Sequence, residues 1–202
     1  MKPDGNTRIY ITGVGGQGSL TAGRLLGEAA VLAKMPVTVS EVHGMSQRGG
    51  IVESCVLIGG AKSPLIGVGD ADLLLAFEPA EALRALPYCS DKTVAVVNIR
   101  PIVPFSVAMG QAAYPALDEV LARLRGVAKR VIAFDAAALA EQAGSPLAVN
   151  AVLLGATAAT RVLPMASEVV RRAVSSAADK KIASSNARAF ELGFAAVGQE
   201  TG

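Results

Sequence analysis

Short runs rich in β-branched residues alternate with longer segments of helical periodicity along most of this 202-residue chain. This alternation constrains the fold more than any other feature, because strands that alternate with helices build a sheet covered on both faces. We therefore predict an α/β fold with three layers, a mixed but mostly parallel sheet with helices on both faces, and a Rossmann-like first βα unit. The predicted strands are Arg8–Thr12, Val37–Val42, Ile51–Gly59, Leu73–Phe77, Thr93–Ile99 and Val131–Ala136.

The helical pattern also predicts how some elements pack. Val149–Leu163 is apolar almost all round, which indicates a buried helix, and its small residues allow a neighbouring element to approach closely. The second and third strands are joined only by His43–Gly50, which is too short for a parallel crossover, so they are antiparallel if adjacent. Pro101–Pro115 shows no clear period and is predicted to be irregular. The other predicted helices are Gly18–Lys34, a segment from Pro79, Ala116–Leu124, Ala136–Ala143, Ser167–Ala178 and Ser184–Val197.

Length and composition exclude several classes of protein. Residues 1–202 are enough for one well-packed domain, and a net charge of +2 without a run of basic residues gives no nucleic-acid groove. Cys55 and Cys89 lack the spacing of a zinc or iron–sulfur site, so reduced, buried thiols are expected, although a disulfide between them is an alternative. The polar Met1–Thr7 segment predicts no signal peptide and hence a cytoplasmic protein without a membrane span. The 51% apolar content predicts a surface that is buried only in an assembly.

Gly13, Gly15 and Gly18 match the G-x-G-x-x-G fingerprint of dinucleotide sites, between a predicted strand and a helix. Glu41 lies at about the position of a ribose-binding acid. Two features argue against a nicotinamide site. The loop carries the additional Gly16 and an unusual Gln17, and no obvious residues for hydride transfer follow it. Two interpretations stay open: the glycines serve strand–helix packing alone, or their N–H groups receive an anion or a partner's carboxylate or carbonyl.

A second glycine-containing loop, His43–Gly50, carries the only histidine of the chain together with Ser46, Arg48 and Gly49. Arg48 has small neighbours and is suited either to a bidentate grip on a carboxylate or phosphate, or to an ion pair that fixes the hairpin. His43 lacks companions for a metal site or a catalytic triad, so a structural hydrogen bond is the favoured role over acid–base work.

Polar residues also flank the fourth and fifth strands. Asp72 precedes the fourth strand and Glu78 follows it, at a strand end of the kind where ligands of doubly wound sheets bind. Each has an alternative role: Asp72 would cap a turn, and Glu78 would pair with Arg84. Asn98 closes the fifth strand, and its amide has two candidate roles: binding a ligand or holding the following loop.

Taken together, these motifs resemble the gamma-type domain of 2-oxoacid:ferredoxin oxidoreductases. The form of the second loop is similar in particular to the beta subunits of indolepyruvate:ferredoxin oxidoreductases. The resemblance covers nearly the whole chain, and the segments that carry it are Gly13–Gly18, Glu41–Gly50, Ser63–Ile66, Gly69–Leu75, Glu78–Arg84 and Asn186–Gly193.

The resemblance implies an oxidoreductase subunit that is inactive alone and has no catalytic or metal-binding residues of its own. Thiamine diphosphate, Mg and the [4Fe–4S] clusters are then carried by a partner alpha-type subunit, which decarboxylates an arylpyruvate to an acyl-CoA and reduces ferredoxin. The two loops would face the partner or CoA, and a homodimer or heterotetramer is expected. The implied loop residues are Gly13, Gly15, Gly16, Gln17, Gly18, His43, Ser46, Arg48 and Gly49. Alternatives are a gamma subunit for pyruvate, 2-oxoglutarate or 2-oxoisovalerate, a free-standing dinucleotide-binding protein, and a purely structural module.

Overall fold

The fold comes from a computed structural model, which describes residues 5–43, 50–60, 63–103, 107, 109–111, 113–176 and 179–199. Six strands form one sheet in the order β2-β3-β1-β4-β5-β6. β1, β4, β5 and β6 are parallel neighbours, whereas β3 pairs antiparallel with both β1 and β2. The strands are β1 (Thr7–Val14), β2 (Val37–His43), β3 (Ile51–Ile58), β4 (Leu73–Ala76), β5 (Val94–Asn98) and β6 (Arg130–Phe134).

Helices cover both faces of this sheet, which confirms the predicted three-layer α/β architecture. α1, α4, α5, α6 and α7 pack on one face and α2 and α3 on the other, and each face has its own buried apolar cluster. β4 is buried along its whole length because it is covered on both faces, which explains its continuous apolar run. The helices are α1 (Ser19–Leu32), α2 (Pro79–Arg84), α3 (Leu117–Arg125), α4 (Ala136–Gln142), α5 (Val149–Ala159), α6 (Ser167–Val174) and α7 (Lys180–Gln199).

The predicted strands lie within two residues of those observed, and the antiparallel relation of the second and third strands is confirmed. Three helices differ more. α6 ends at Val174, four residues before the predicted Ala178, and the Ser176 hydroxyl donates to the Ala173 carbonyl at 2.7 Å, where it competes with the helical backbone. α5 ends at Ala159 because Arg161 adopts a left-handed conformation with φ of 60° and Pro164 follows. α7 begins at Lys180, four residues before the prediction, because the Asp179 carboxylate accepts hydrogen bonds from the N–H groups of Lys181 and Ile182 at 2.7 and 3.1 Å.

α5 and α7 cross through glycines, as the small residues of α5 predict. A Cβ atom added to Gly155 would lie 2.0 Å from the Phe190 carbonyl oxygen, and one added to Gly193 would lie 1.8 Å from that of Val152. The two helix backbones are therefore in direct contact at this crossing, which anchors the C-terminal helix on the helix that carries one wall of the site.

Candidate functional site

The glycine loop lies at the carboxyl edge of the sheet, where β1 leads into α1. Gly16 and Gly18 have φ values of 99° and 86°, which side chains rarely adopt, so glycine is required for the loop's path. Gly13 is required for a different reason, since a Cβ there would lie 2.9 Å from the Phe77 Cβ. Gly15 donates its N–H to the Gly50 carbonyl at 2.9 Å. This bond brings the end of the second glycine-containing loop against the first.

Gln17 occupies the space beside these glycines. Its Oε1 accepts the N–H of Val14 at 2.7 Å, and its Nε2 donates to the Phe77 carbonyl at 2.9 Å. The N–H groups of both Val14 and Gly15 are therefore satisfied within the protein. In a dinucleotide site such loop donors face the pyrophosphate, so this loop is built for packing at the positions where a nicotinamide cofactor would need donors.

The topology separates Glu41 from the glycine loop and corrects its assignment as a ribose-binding acid. In a dinucleotide fold the acid follows the strand next to β1, but here β3 lies between β1 and β2. Glu41 instead borders a groove between β2 and α1 that also includes Arg24 and Val39. The fingerprint therefore lacks its usual acidic partner.

Asp72 and Glu78 lie at opposite ends of β4, so they do not form one site. The Asp72 carboxylate accepts the N–H of Arg8 at 2.8 Å and holds the amino end of β1. Glu78 is 1% exposed at the carboxyl end. There it caps α2 through the N–H of Glu81 at 3.1 Å, and it also accepts hydrogen bonds from the N–H of Ile102 at 3.3 Å and the phenol of Tyr114.

Glu78 does not pair with Arg84, contrary to that alternative; Arg84 approaches Glu81 at 3.5 Å, one helical turn away. Glu81 itself is 6% exposed, and burial raises its pKa, although Arg84 opposes the shift. Burial and the hydrogen bond to Glu78 likewise raise the pKa of the Tyr114 phenol. Glu78 therefore ties the segment after β5 to α2, whereas Glu81 pairs within α2.

The Asn98 amide holds neighbouring backbone in place, which is the second of its two predicted roles. Its Nδ2 donates to the Phe77 carbonyl at 3.0 Å, and its Oδ1 accepts the N–H of Ala136 at 3.0 Å. Phe77 O thus receives hydrogen bonds from both Gln17 and Asn98, which links the carboxyl ends of β1, β4 and β5.

Arg100 follows Asn98 and contacts two carboxylates, Asp135 at 2.7 Å and Glu141 at 3.2 Å. Burial, which alone raises the pKa of Asp135, is outweighed by the hydrogen bond from Arg100, so the net pKa is lowered. The guanidinium charge is therefore already balanced by acids, and Arg100 is a poor receptor for a phosphate in this arrangement.

A cavity of about 350 Å³ opens beside the glycine loop. Its walls come from residues 16–18, from Arg100 and Ile102 after β5, and from the start of α5 at Asn150. α1 and α5 both begin here, so their positive dipole ends favour negative charge. α1 has no side-chain cap, whereas at the start of α5 the Ala151 N–H already donates to Asn150 Oδ1 at 2.8 Å.

A second cavity of about 460 Å³ shares Thr21, Leu147 and Asn150 with the first and extends to Lys181 on α7. Leu147 is 87% exposed between the two. Lys181 therefore adds a positive charge, and Leu147 an exposed apolar side chain, to two adjoining cavities. Leu147, Asn150 and Lys181 were not predicted as site residues. The sequence near each shows only an ordinary helix start, and it does not indicate that the starts of α1 and α5 lie side by side.

The structure describes some of the predicted loop residues and not others. Gly13, Gly15, Gly16, Gln17 and Gly18 lie together at the cavity edge or beneath it. His43 ends β2 opposite Val52 in the ladder, while Ser46, Arg48 and Gly49 lie outside the described residues. Their proposed contacts with a ligand or partner stay predictions.

The cysteines are buried and free, as expected. Burial raises the pKa of Cys89 to about 11 and also raises that of Cys55, so both are poor thiolate ligands. Within the described part of the chain, no three His, Cys, Asp or Glu residues are grouped to hold a metal ion. Among the same residues, no helix combines the length and apolar character needed to cross a bilayer.

Two comparisons with curated relatives place this architecture in a family. The chain is 43% identical over 186 residues to the indolepyruvate oxidoreductase subunit IorB of Archaeoglobus fulgidus, covering 92% of each chain. It is also 43% identical over 196 residues to the IorB subunit of Thermococcus kodakarensis, covering 96% of this chain and 97% of the relative.

Solved structures share the fold. The gamma subunit of a keto/oxoacid ferredoxin oxidoreductase from Geobacter sulfurreducens has a TM-score of 0.68 and 25% identity, covering 96% of this chain and 99% of that one. A 2-oxoglutarate:ferredoxin oxidoreductase from Magnetococcus marinus, with 2-oxoglutarate, coenzyme A and succinyl-CoA bound, has a TM-score of 0.68 and 19% identity, covering 96% of this chain but 31% of that one. The model of the pyruvate ferredoxin/flavodoxin oxidoreductase family matches residues 8–196, so the chain belongs to that family, and its predicted resemblance to the indolepyruvate oxidoreductase subunits is confirmed.

Proposed function

We propose that this chain is the accessory subunit of a cytoplasmic 2-oxoacid:ferredoxin oxidoreductase that acts on indolepyruvate or a related arylpyruvate. The full enzyme would decarboxylate the 2-oxoacid oxidatively, pass two electrons to ferredoxin and transfer the acyl group to CoA. Thiamine diphosphate, Mg and the [4Fe–4S] clusters belong in this proposal to a larger alpha-type partner. The observation that carries the proposal is the match to IorB subunits over nearly the whole length of both chains.

The subunit proposal also fits the chemistry of the chain's own residues. The buried thiols have raised pKa values, and the carboxylates at the carboxyl edge cap helices or pair with arginines. These groups are used to hold a scaffold together. In the proposed enzyme, residues 1–202 act as one gamma-type domain that shapes the partner's surroundings.

The same geometry argues against a free-standing dinucleotide-binding protein. Gln17 and Gly50 use the loop N–H and carbonyl groups internally, and β3 separates Glu41 from the fingerprint. We expect NAD to bind more weakly than micromolar, a threshold that corresponds to about 8 kcal/mol. A micromolar dissociation constant in an isothermal titration would favour the dinucleotide function instead.

The assembly is tested by co-expressing the chain with the cluster-bearing chain of its own organism. The chain purified alone should lack stoichiometric iron, flavin and thiamine diphosphate and should not reduce ferredoxin, whereas the complex should oxidise indolepyruvate in a CoA-dependent reaction. Pyruvate, 2-oxoglutarate and 2-oxoisovalerate assayed side by side separate the indolepyruvate subunit from the other gamma subunits. Iron that survives desalting of the lone chain would contradict the proposal.

We further propose that the paired cavities and the two glycine-containing loops face the partner and CoA. Asn150 tests this placement, since it is the second residue of α5 and lines both cavities. Asn150→Asp keeps the side-chain size, adds a negative charge where CoA phosphates would lie, and favours the helix start by about 0.3–1 kcal/mol.

In this variant we expect the KM for CoA to rise at least tenfold while the melting temperature is unchanged or higher. Lys181→Met removes a positive charge from the second cavity only. A rise in the KM for CoA as large as that of Asn150→Asp would assign the phosphates to the second cavity, and a smaller rise would assign them to the first. An unchanged KM for CoA in both variants would move the contact away from these cavities.

A further inference from the structure

β2 is an outermost strand of the described sheet, and its pairing with β3 shows which of its backbone groups point away from the sheet. The Pro36 carbonyl accepts the N–H of Gly59 at 2.9 Å, and this pair continues the β2–β3 register of Val37 with Ile58. In an antiparallel ladder, alternate residues direct both N–H and C=O to the same neighbour. The even-numbered residues of β2 therefore bond to β3, and Val37, Val39, Glu41 and His43 direct their backbone groups outward.

Natural edge strands usually carry protection against pairing, such as prolines, bulges, lysines or a very short length. β2 has seven residues and no bulge in its pairing with β3. Its one flanking proline, Pro36, directs its backbone toward β3 and leaves the outer edge unaffected. Among the described strands, no other pairs with this edge.

An apolar groove of about 700 Å³ runs beside this edge, between β2 and α1. Its floor includes Gly27 and Val39, which pack so closely that a Cβ on Gly27 would lie 3.0 Å from Val39 Cγ2. Val31 and Leu32 on its rim are 65% and 48% exposed. We call this region, residues 24–32 of α1 with β2, the edge groove.

The charges of the edge groove are self-complementary. Arg24 and Glu28 lie one turn apart on α1, with side chains 69% and 45% exposed and only 3.9 Å between Arg24 Nε and Glu28 Oε1. Because Gly27 packs near the middle of β2, a two-fold axis through Ser40 would have Arg24 and Glu28 on either side of it. The axis would then bring Arg24 of one copy toward Glu28 of the other.

We infer that two copies of this chain pair antiparallel through β2 about a two-fold axis at Ser40 and form one continuous twelve-stranded sheet. This register places outward residues opposite outward residues, Val39 with Glu41 and Val37 with His43, and yields up to about eight backbone hydrogen bonds. Neighbouring strands are about 4.8 Å apart, so the two α1 helices would lie roughly 10–14 Å apart over the seam. That is at or beyond the spacing of closely packed helices, and the exposed side chains of Arg24, Val31 and Leu32 are available to fill the gap.

This inference rests on the proposed function in one respect, because it assigns the surface through which the expected homodimer or heterotetramer associates. Its evidence comes from β2 and the edge groove alone. Amide hydrogen exchange of the full chain at low and high concentration tests it directly. The amides of Thr38, Ser40 and Val42 should be protected at both concentrations, since they bond to β3. Those of Val37, Val39 and Glu41 should become at least tenfold more protected only in the dimer.

A charge reversal supplies the second measurement. Arg24→Glu should raise the dimer dissociation constant at least tenfold in sedimentation velocity, and Arg24→Glu with Glu28→Arg should restore it. Arg123→Glu on α3 changes the net charge equally on the opposite face of the sheet and should leave association unchanged.

A chain that stays monomeric at millimolar concentration, or a dimer whose outward amides exchange freely, would overturn the inference. Protection that appears only when the alpha-type partner is added would assign the edge to that partner rather than to a second copy. Either result leaves the proposed subunit function intact, because the function is judged by activity of the complex and not by association of this chain with itself.

Discussion

Gly193→Ala is the substitution whose cost the structure defines most directly. The new Cβ would lie 1.8 Å from the Val152 carbonyl oxygen, and the atoms next in distance also belong to the Val152 backbone. A flexible side chain would move aside, but here α7 must separate from α5 by roughly the 1.5 Å that is missing from an ordinary contact. Val152 and Phe190 at this crossing are buried, with 0% and 2% exposure, so the shift disturbs the core.

Overpacking a core typically costs about 1–3 kcal/mol. Because the new Cβ meets the Val152 backbone, which cannot rotate away, we expect a free-energy cost at or above the top of that range. Alanine regains up to about 1 kcal/mol of helix propensity over glycine. We therefore expect a net loss of about 2 kcal/mol or more in the free energy of unfolding, and a fall in melting temperature of roughly 4–8 °C for a chain of this size. Urea unfolding followed by circular dichroism measures the former and a thermal scan the latter.

Gly198→Ala is the matched control, because it lies in the same helix and its added Cβ meets nothing within 4 Å. That variant should be stabilised by about 0.5–1 kcal/mol. Gly155→Ala should resemble Gly193→Ala, and the double variant should cost less than the sum, since both changes separate the same two helices. If Gly193→Ala were as stable as Gly198→Ala, the close crossing of the two backbones would be refuted.

Two further predictions concern the carboxyl edge, and a third concerns Arg48. Gln17→Ala leaves the Val14 N–H without its acceptor and should cost about 1–3 kcal/mol in urea unfolding, and a variant as stable as the parent would mean that Gln17 does not fill the loop. Because burial raises the pKa of Glu81, its neutral form favours folding, so its contribution is fully present below the unfolded-state pKa and is lost as pH rises through the folded-state pKa. Glu81→Gln should therefore gain stability relative to the parent as the pH rises above 4.5, measured as the difference of two denaturation curves; a constant difference would contradict the raised pKa. Arg48→Lys should fold normally and reduce activity of the assembled enzyme by an amount on the order of 1.5–3 kcal/mol, whereas full activity with a lowered melting temperature would make Arg48 part of the scaffold.

Local features of the sequence were sufficient to predict the strands and most helices. Runs such as Leu73–Phe77 are apolar and flanked by turn residues, and the short His43–Gly50 connection excludes a parallel crossover. Glu81 and Arg84 also have the spacing of a helical ion pair, so their contact was available from the sequence. The early start of α7 was signalled by Asp179, a good N-cap residue.

The candidate site was harder to predict because its parts meet through long-range contacts. Nothing near Gln17 in the sequence indicates that its amide will reach Phe77, sixty residues away. The same holds for Asn98, which joins Phe77 to the start of α4. Such contacts depend on strand order, and strand order is not encoded by periodicity.

The position of β3 accounts for two features that otherwise look unrelated. Lying between β1 and β2, it moves Glu41 two strands from the glycine loop and so leaves the dinucleotide fingerprint without its acid. The same position makes β2 the outermost strand, with its odd-numbered backbone groups directed away from the sheet. A single change in strand order thus reduces the loop's suitability for a nicotinamide cofactor and creates an edge suited to pairing. For this reason we expect the partner-facing and self-associating surfaces to be separable by mutation: Gln17→Ala should alter the first and Arg24→Glu the second, each without the other.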